Sequence, residues 1–222
     1  MISEKKFFQS IHSKTKRDYL SIMNNSKPHY MDVAKKFSKD FFDGERKYGY
    51  GGHKYIPGWW SKFTQKIITN YNLINNSNIL DIGCGKGFLL HDLKIANPLF
   101  QLSGFDISKY AIKNAKKEIK KNVFCYDIKN NLNFYKKNSF DLVLSINTLH
   151  NLEIFELKKA LEEIVRISKR QYIVVESYRN SRELFNLQCW NKTGLSFFSK
   201  KEWIWLFKEY GYKGDYDFIY FN

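Results

Sequence analysis

The chain has 222 residues, with 43% hydrophobic and 18% aromatic side chains and a formal charge of +15. That is enough apolar material for one domain built on a sheet covered on both faces. No apolar run approaches the roughly 20 residues of a bilayer crossing, and no CxxC pair links Cys84, Cys125 and Cys189 into a disulfide framework or a zinc site. The charge itself is diffuse. Only six of the 37 basic residues are arginine, and lysine, a hydrated point charge, suits solvated faces better than base or phosphate recognition. Charge therefore argues weakly for nucleic acid as a partner. The opening "MISEKKFFQS" has no apolar signal core, so a cytoplasmic protein is expected.

In chain order, residues 1 to about 45 read as helical. Phe7, Phe8, Ile11, Tyr19, Leu20, Ile22 and Met23 fall at helical spacings, "NNSKP" at 24–28 breaks the run, and Tyr30, Val33, Ala34, Phe37 and Phe41 continue it over 30–42. "FFDGERKYGYGGHKYIPGWW" is neither helix nor strand, and a helix resumes over 60–72. From residue 79 short β-type runs alternate with helical ones. The runs are "ILDIG", a helix over 86–96, "QLSGFD", a helix over 108–121, "NVFCYD" and "FDLVLSIN". A helix over 153–168, "YIVVESY", a helix near 199–210 and "YDFIYF" complete the series. Strands alternating with crossover helices predict an α/β fold with a Rossmann-like, doubly wound, mostly parallel sheet. Residues 1–60 then form an N-terminal helical cap and an aromatic, glycine-rich lid segment, and 61–222 the core, all in one compact unit.

Gly83, Gly85 and Gly87 directly follow a strand and open a helix. The dinucleotide fingerprint is G-x-G-x-x-G, and here the third glycine comes one residue early. Asp81 at the strand end suits a cationic ligand and would repel a pyrophosphate. Asp106, ending the second strand, is placed to bind ribose hydroxyls with Ile107 beside it, and Asp127 with Ile128, ending the third, to contact an adenine. At these residues, in "LDIGCGKG", "GFDIS", "CYDI", "FDLVLSINTLHNL" and "YIVVESY", the chain resembles class I S-adenosylmethionine-dependent methyltransferases over about residues 45–222. The Pro-Gly-Gly turn customary before strand five is missing. The resemblance implies S-adenosyl-L-methionine as cofactor, held by Asp81, the glycines, Asp106, Ile107, Asp127, Ile128 and Asn147, with Tyr55 and Trp60 closing over it.

Ligands of open α/β sheets bind outside the carboxyl ends of the strands. "SINTLHNL" after strand four brings Asn147, His150 and Asn151 there, and "ESYRN" after strand five brings Glu176, Tyr178 and Arg179. "NLQCWNKTGLSFF" contributes Trp190, and the loop at 49–60 contributes His53. "SINT" stands where amino-methylating DNA enzymes carry an Asn/Asp-Pro-Pro-aromatic signature, and no cysteine follows strand four to attack a cytosine. His150 is the candidate general base, its ordinary pKa near 6.5 suiting proton removal from a hydroxyl. Substrate contacts are expected from His53, Asn151, Glu176, Tyr178, Arg179 and Trp190. His12, His29 and His91 read as structural or exposed, and no His/Asp/Glu cluster has metal-ligand spacing. The Gly-Gly-aromatic loop and the "ESYRN…LFNLQCW…SFFS…EW" tail are also similar to small methyltransferases of surface-polysaccharide pathways. That similarity implies O-methylation of a sugar, nucleotide-sugar or phosphoramidate-type intermediate. The alternatives are an RNA methyltransferase and a non-catalytic cofactor-binding subunit.

Overall fold

The structure is a computed structural model that describes residues 3–8, 18–23 and 26–222. Six strands, β1 (Asn78–Ile82), β2 (Gln101–Asp106), β3 (Val123–Cys125), β4 (Leu142–Ile146), β5 (Gln171–Glu176) and β6 (Asp215–Ile219), form one sheet. Their order is β3-β2-β1-β4-β5-β6, and every pairing is parallel. Among the described residues, helices α1 (Tyr19–Ile22), α2 (Lys27–Ala34), α3 (Lys39–Asp43) and α4 (Ser61–Asn70) precede the sheet. The helices α5 (Phe88–Ala96), α6 (Lys109–Lys113), α7 (Ile154–Ile167), α8 (Ser181–Trp190) and α9 (Lys200–Glu209) lie between or after its strands.

Successive strand residues point to opposite faces, and both faces are buried. Ile79, Leu142, Leu144, Tyr172 and Val174 pack with Phe63, Ile67, Leu89, Leu90 and Leu93 of α4 and α5. Their neighbours Leu80, Ile82, Val143, Ile173 and Val175 pack with Leu157, Leu161 and Ile164 of α7 and with Trp203, Leu206 and Phe207 of α9. This is the doubly wound arrangement expected from the sequence, and it directs all the strands' carboxyl ends to one edge. Chain reversal occurs on either side of β1, whose neighbours are β2 and β4. That point opens the crevice in which such sheets bind ligands.

The N-terminal region departs from the expected continuous helices. Glu4 bridges Tyr216 in parallel, and the Phe8 amide donates to Asp217 at 2.8 Å, so this stretch extends the sheet beside β6. Ile11 and His12 lie outside the described residues. The helix expected over 30–42 is split in two, because Phe37 adopts φ +45° and Ser38 caps α3 through the Asp40 amide. The helix expected over 108–121 stops at Lys113 and gives way to a 3-10 turn at Lys120–Asn122. α8 was not expected as a helix at all.

Two buried contacts seat the cap on the core. Asp43, at the end of α3, receives Lys86 Nζ at 2.7 and 2.8 Å, the Tyr110 hydroxyl at 2.7 Å and the His53 amide at 3.1 Å. Burial alone would raise the Asp43 pKa, but these hydrogen bonds and the Lys86 charge hold it below the ordinary value. Lys27, buried in α2, donates to the Gln188 and Cys189 carbonyls, capping the carboxyl end of α8 where backbone dipoles favour a cation.

Candidate active site

At Gly83 the glycine turn is shaped by contacts that leave no room for a side chain. The Gly83 and Cys84 amides both donate to the Phe105 carbonyl, at 2.8 and 3.1 Å, drawing the turn against the end of β2. Gly83 adopts φ +76°, and a Cβ there would lie 2.0 Å from Thr148 Oγ1. Gly85 (φ +54°) and Gly87 (φ +71°) also occupy the left-handed region. The Gly85 amide donates to Asp106 at 2.8 Å, and the Ser108 amide takes the other carboxylate oxygen at 2.8 Å. Burial raises the Asp106 pKa against the pull of these two amides.

Asp81 lies behind the turn, only 3% exposed. Burial, with the Asp106 charge added, pushes its pKa up to about 7, and no cation or hydrogen bond among the described residues opposes the shift. A cationic ligand would supply the missing partner.

In front of the turn is a cavity of about 380 Å³, within the range of small-ligand sites. Gly83, Asp106, Ile107, Asp127 and Ile128 line one part of it, and Asn147, His150, Asn151, Glu176 and Trp190 another. The structure therefore gathers ten of the expected residues around one space. Asn147 holds φ +58°, and its Oδ1 is buried without a hydrogen-bond partner, as is Asn151 Oδ1. Such orphaned acceptors at a cavity wall mark places for a ligand's donors.

His150 sits in a 3-10 turn, Leu149–Asn151, directly after β4. Its carbonyl accepts the Leu195 and Ser196 amides, both at 3.0 Å, which fix the turn against the segment following α8. Its Nε2 is 3.8 Å from Glu176 Oε2, and its Nδ1 is buried and unpartnered. Burial lowers the His150 pKa, and Glu176 opposes this only in part. The imidazole is thus neutral at pH 7, and the nearby carboxylate favours the tautomer with its proton on Nε2. Glu176 is in turn held by Asn191 Nδ2 at 2.5 Å.

Other expected residues stand elsewhere. The Tyr55 hydroxyl donates to Asp92 at 2.6 Å and the Trp60 amide donates to the same carboxylate at 3.1 Å, so both are tied to α5 and neither lines the cavity. Of the aromatic, glycine-rich segment expected to close the site, Tyr50 lines the cavity, and Phe37, Phe41 and Phe42 just upstream line it with Tyr50. His53 is wedged between Phe42, Tyr50 and Phe88, outside the cavity lining, and burial lowers its pKa to about 4. Arg179 pairs with Glu183, donates to Asn222 and covers the Tyr220 ring, and Tyr178 bridges Ser199. Asn180 caps α8 there and turns the chain away from the site. Sequence reasoning missed Arg46, Thr148, Asn191 and Lys192, which also line the cavity; no spacing or motif marks them.

A glycine turn at the switch point of a parallel sheet, with acidic side chains ending β2 and following β3, defines a Rossmann-like enzyme class that binds a nucleoside-bearing cofactor. The chain belongs to the methyltransferase domain family, whose model matches residues 73–211; it is an enzyme, and its cofactor is S-adenosylmethionine. No functionally curated protein matches it in sequence. Among solved structures, the partner of the Trm112 methyltransferase activator in a Haloferax volcanii complex is similar with 20% identity and a TM-score of 0.56. That alignment covers 68% of this chain and 67% of that one. An Archaeoglobus fulgidus S-adenosylmethionine-dependent methyltransferase shares 20% identity, 68% coverage of both chains and a TM-score of 0.53. A protein of an antibiotic biosynthesis pathway of Anabaena variabilis shares 25% identity and a TM-score of 0.52, covering 67% of this chain and 60% of that one.

The residues present fit the cofactor. Asp106 and Asp127 present acceptors on the cavity lining, and Asp81, which with Gly85 and Gly87 lies outside that lining, has behind the turn a raised pKa that an ammonium group would relieve. This gives a pH dependence with a definite sign. In the free protein Asp81 is protonated below about pH 7, and only the ionised form pairs with an ammonium. Affinity for S-adenosylhomocysteine, which carries the same ammonium, is therefore expected to weaken about tenfold from pH 8 to pH 6. Stability of the unliganded protein should move the opposite way, since the raised pKa favours the folded state at low pH and this contribution fades as pH rises through 7. Calorimetric titration and thermal melts at both pH values check the two signs. Affinity independent of pH would remove Asp81 from the binding of the ammonium.

Proposed function

We propose that the protein transfers a methyl group to an oxygen of a small polar acceptor, a sugar, nucleotide-sugar or phosphoramidate-type intermediate of surface-polysaccharide synthesis, with His150 as general base. The observation that carries this reading is the buried His150–Glu176 pair on the wall of the same cavity as Asp106 and Asp127. When bound, S-adenosylmethionine supplies an electrophilic methyl group on a sulfonium centre. The chain's own residues then have three tasks. Asp81, Gly83, Asp106, Asp127 and Ile128 hold the cofactor in one orientation, and positioning of this kind is a major source of rate in a two-body reaction. Phe37, Phe41, Phe42 and Tyr50 cover the cavity and exclude water. His150 Nδ1, with its lone pair unengaged, receives the acceptor's hydroxyl proton. Glu176 lies on the other side of the ring and steadies the imidazolium that results.

The rival acceptor, RNA, draws support from the net charge alone. Incubation with S-adenosylmethionine labelled in its methyl group, together with either bulk tRNA or a panel of sugar phosphates and nucleotide sugars, separates the readings. Label is expected in the small-molecule fraction. Label in tRNA would replace this reading with the RNA one, and S-adenosylhomocysteine binding with label in no fraction would favour a non-catalytic subunit.

A further inference from the structure

The cavity lining also carries a convergence of positive charge that the proposed chemistry does not use. Around the Trp190 ring, at the end of α8, the Arg46 guanidinium lies 4.9 Å and the Lys192 ammonium 5.4 Å from the ring centroid, and all three residues line the cavity. We propose that Lys192 and Arg46 form the specificity site for an anionic acceptor, a small molecule whose phosphate or carboxylate group they hold beside Trp190 while its hydroxyl faces His150. This rests on the reading of the cavity as the site of methyl transfer and adds the charge of the acceptor to it.

Lys35 also lines the cavity as an exposed side chain, and the remaining charges around the cavity are engaged. Lys129 pairs with Glu156 at 3.0 Å, and Lys27, behind Trp190, is bound to the α8 carbonyls. Asp106 holds two backbone amides, Asp127 accepts the Lys129 amide at 2.9 Å, and Glu176 is engaged by Asn191. No carboxylate among the described residues forms a salt bridge with Lys192. Burial, with the Lys27 and Arg46 charges added, lowers its pKa to about 8 against the opposing pull of Glu176. Lys192, partly buried and close to the Lys27 and Arg46 charges, is repelled by them, and a bound anion relieves that repulsion.

Lys192 is also held in place. Asn191 Oδ1 accepts the amides of Thr193 and Gly194, while Asn191 Nδ2 holds Glu176, the carboxylate facing His150. One side chain thus fixes the backbone on either side of Lys192 and the partner of the candidate base, so that anion and reacting hydroxyl are registered to each other. The Arg46 guanidinium is likewise fixed, donating to the Gly49 and Tyr50 carbonyls at 3.1 and 2.7 Å within the aromatic cover.

The test is titration calorimetry on the full chain saturated with S-adenosylhomocysteine, with inorganic phosphate, glucose 6-phosphate and glucose as probes. Glucose 6-phosphate and phosphate are expected to bind and glucose not. Lys192→Met and Arg46→Met should each weaken glucose 6-phosphate binding about tenfold or more, with S-adenosylhomocysteine affinity unchanged, and Lys192→Arg should retain most of the binding. Binding should also weaken from pH 7 to pH 9 as Lys192, between Lys27, Arg46 and Glu176, loses its proton. Glucose binding as well as its phosphate, no binding of either anion, or an undiminished affinity in Lys192→Met would each overturn the proposal. Failure of S-adenosylhomocysteine to bind the wild-type protein would instead overturn the reading on which the proposal rests.

Discussion

Replacing His150 by alanine is expected to lower kcat at least about a hundredfold while leaving S-adenosylhomocysteine affinity unchanged, since a positioned general base contributes about 10²–10⁴-fold. The side chain is 3% exposed, its Nδ1 has no partner, and Glu176 stands 3.8 Å from its Nε2. These features suit the general-base role proposed for His150. Because burial lowers the pKa of His150, the wild-type rate should fall only when pH drops below the ordinary histidine range near 6.5. The alanine variant should lose that acidic limb. Stability follows the same sign: protonation is easier in the unfolded chain, so this contribution is present above pH 6.5 and lost as pH falls. His150→Gln retains hydrogen-bonding capacity without basicity. A loss of less than tenfold in both variants, with the acidic limb intact, would reduce His150 to a shaper of the cavity.

Asp106→Ala is expected to weaken S-adenosylhomocysteine binding by about tenfold to a hundredfold, as removal of a charged acceptor costs about 1.5–3 kcal/mol. The effect has two sources that can be separated. The direct one is the loss of an acceptor for the ribose hydroxyls. The indirect one is the loss of the Gly85 and Ser108 amide contacts, each 2.8 Å, which leaves two N–H groups unsatisfied and frees the glycine turn. Asp106→Asn keeps one acceptor oxygen but turns an N–H donor toward one of those amides, so it should rescue little. Calorimetry measures affinity, and a thermal melt of the unliganded variants measures the turn's own contribution. Unchanged affinity with a lowered melting temperature would show Asp106 to be a brace for the turn alone.

The doubly wound sheet, and the gathering of Gly83, Asp106 and Asp127 on one cavity, were legible in the sequence because the signals for both are local. Alternating apolar runs such as "ILDIG" and "LVLSI" bury two faces whatever lies around them, and Gly83, Asp106 and Asp127 reach one edge because parallel strands end there. His150, Asn151, Glu176 and Trp190 were legible for the same reason, each following a strand or its next helix. Tertiary structure decided what depends on distant partners. Phe7 and Phe8 keep a helical spacing, yet the pairing of Glu4 with Tyr216 near the far end of the chain makes their segment extended. In α8 the inward positions include Glu183 and Asn186, buried because Glu183 accepts from Arg179 and Asn186 donates to the Phe221 carbonyl, and this erases the apolar period that would have announced a helix. The resemblance implies that Tyr55 and Trp60 close over the cofactor, but Asp92 draws both onto α5, and Tyr50 of the same segment lines the cavity with Phe37, Phe41 and Phe42. Arg46 and Lys192 are 146 positions apart in the sequence and meet at Trp190 because Asp43 seats the cap on the core and Lys27 ties it to the end of α8. In a chain with 37 basic residues, only the folding of cap onto core distinguishes these two from the charges that merely face water.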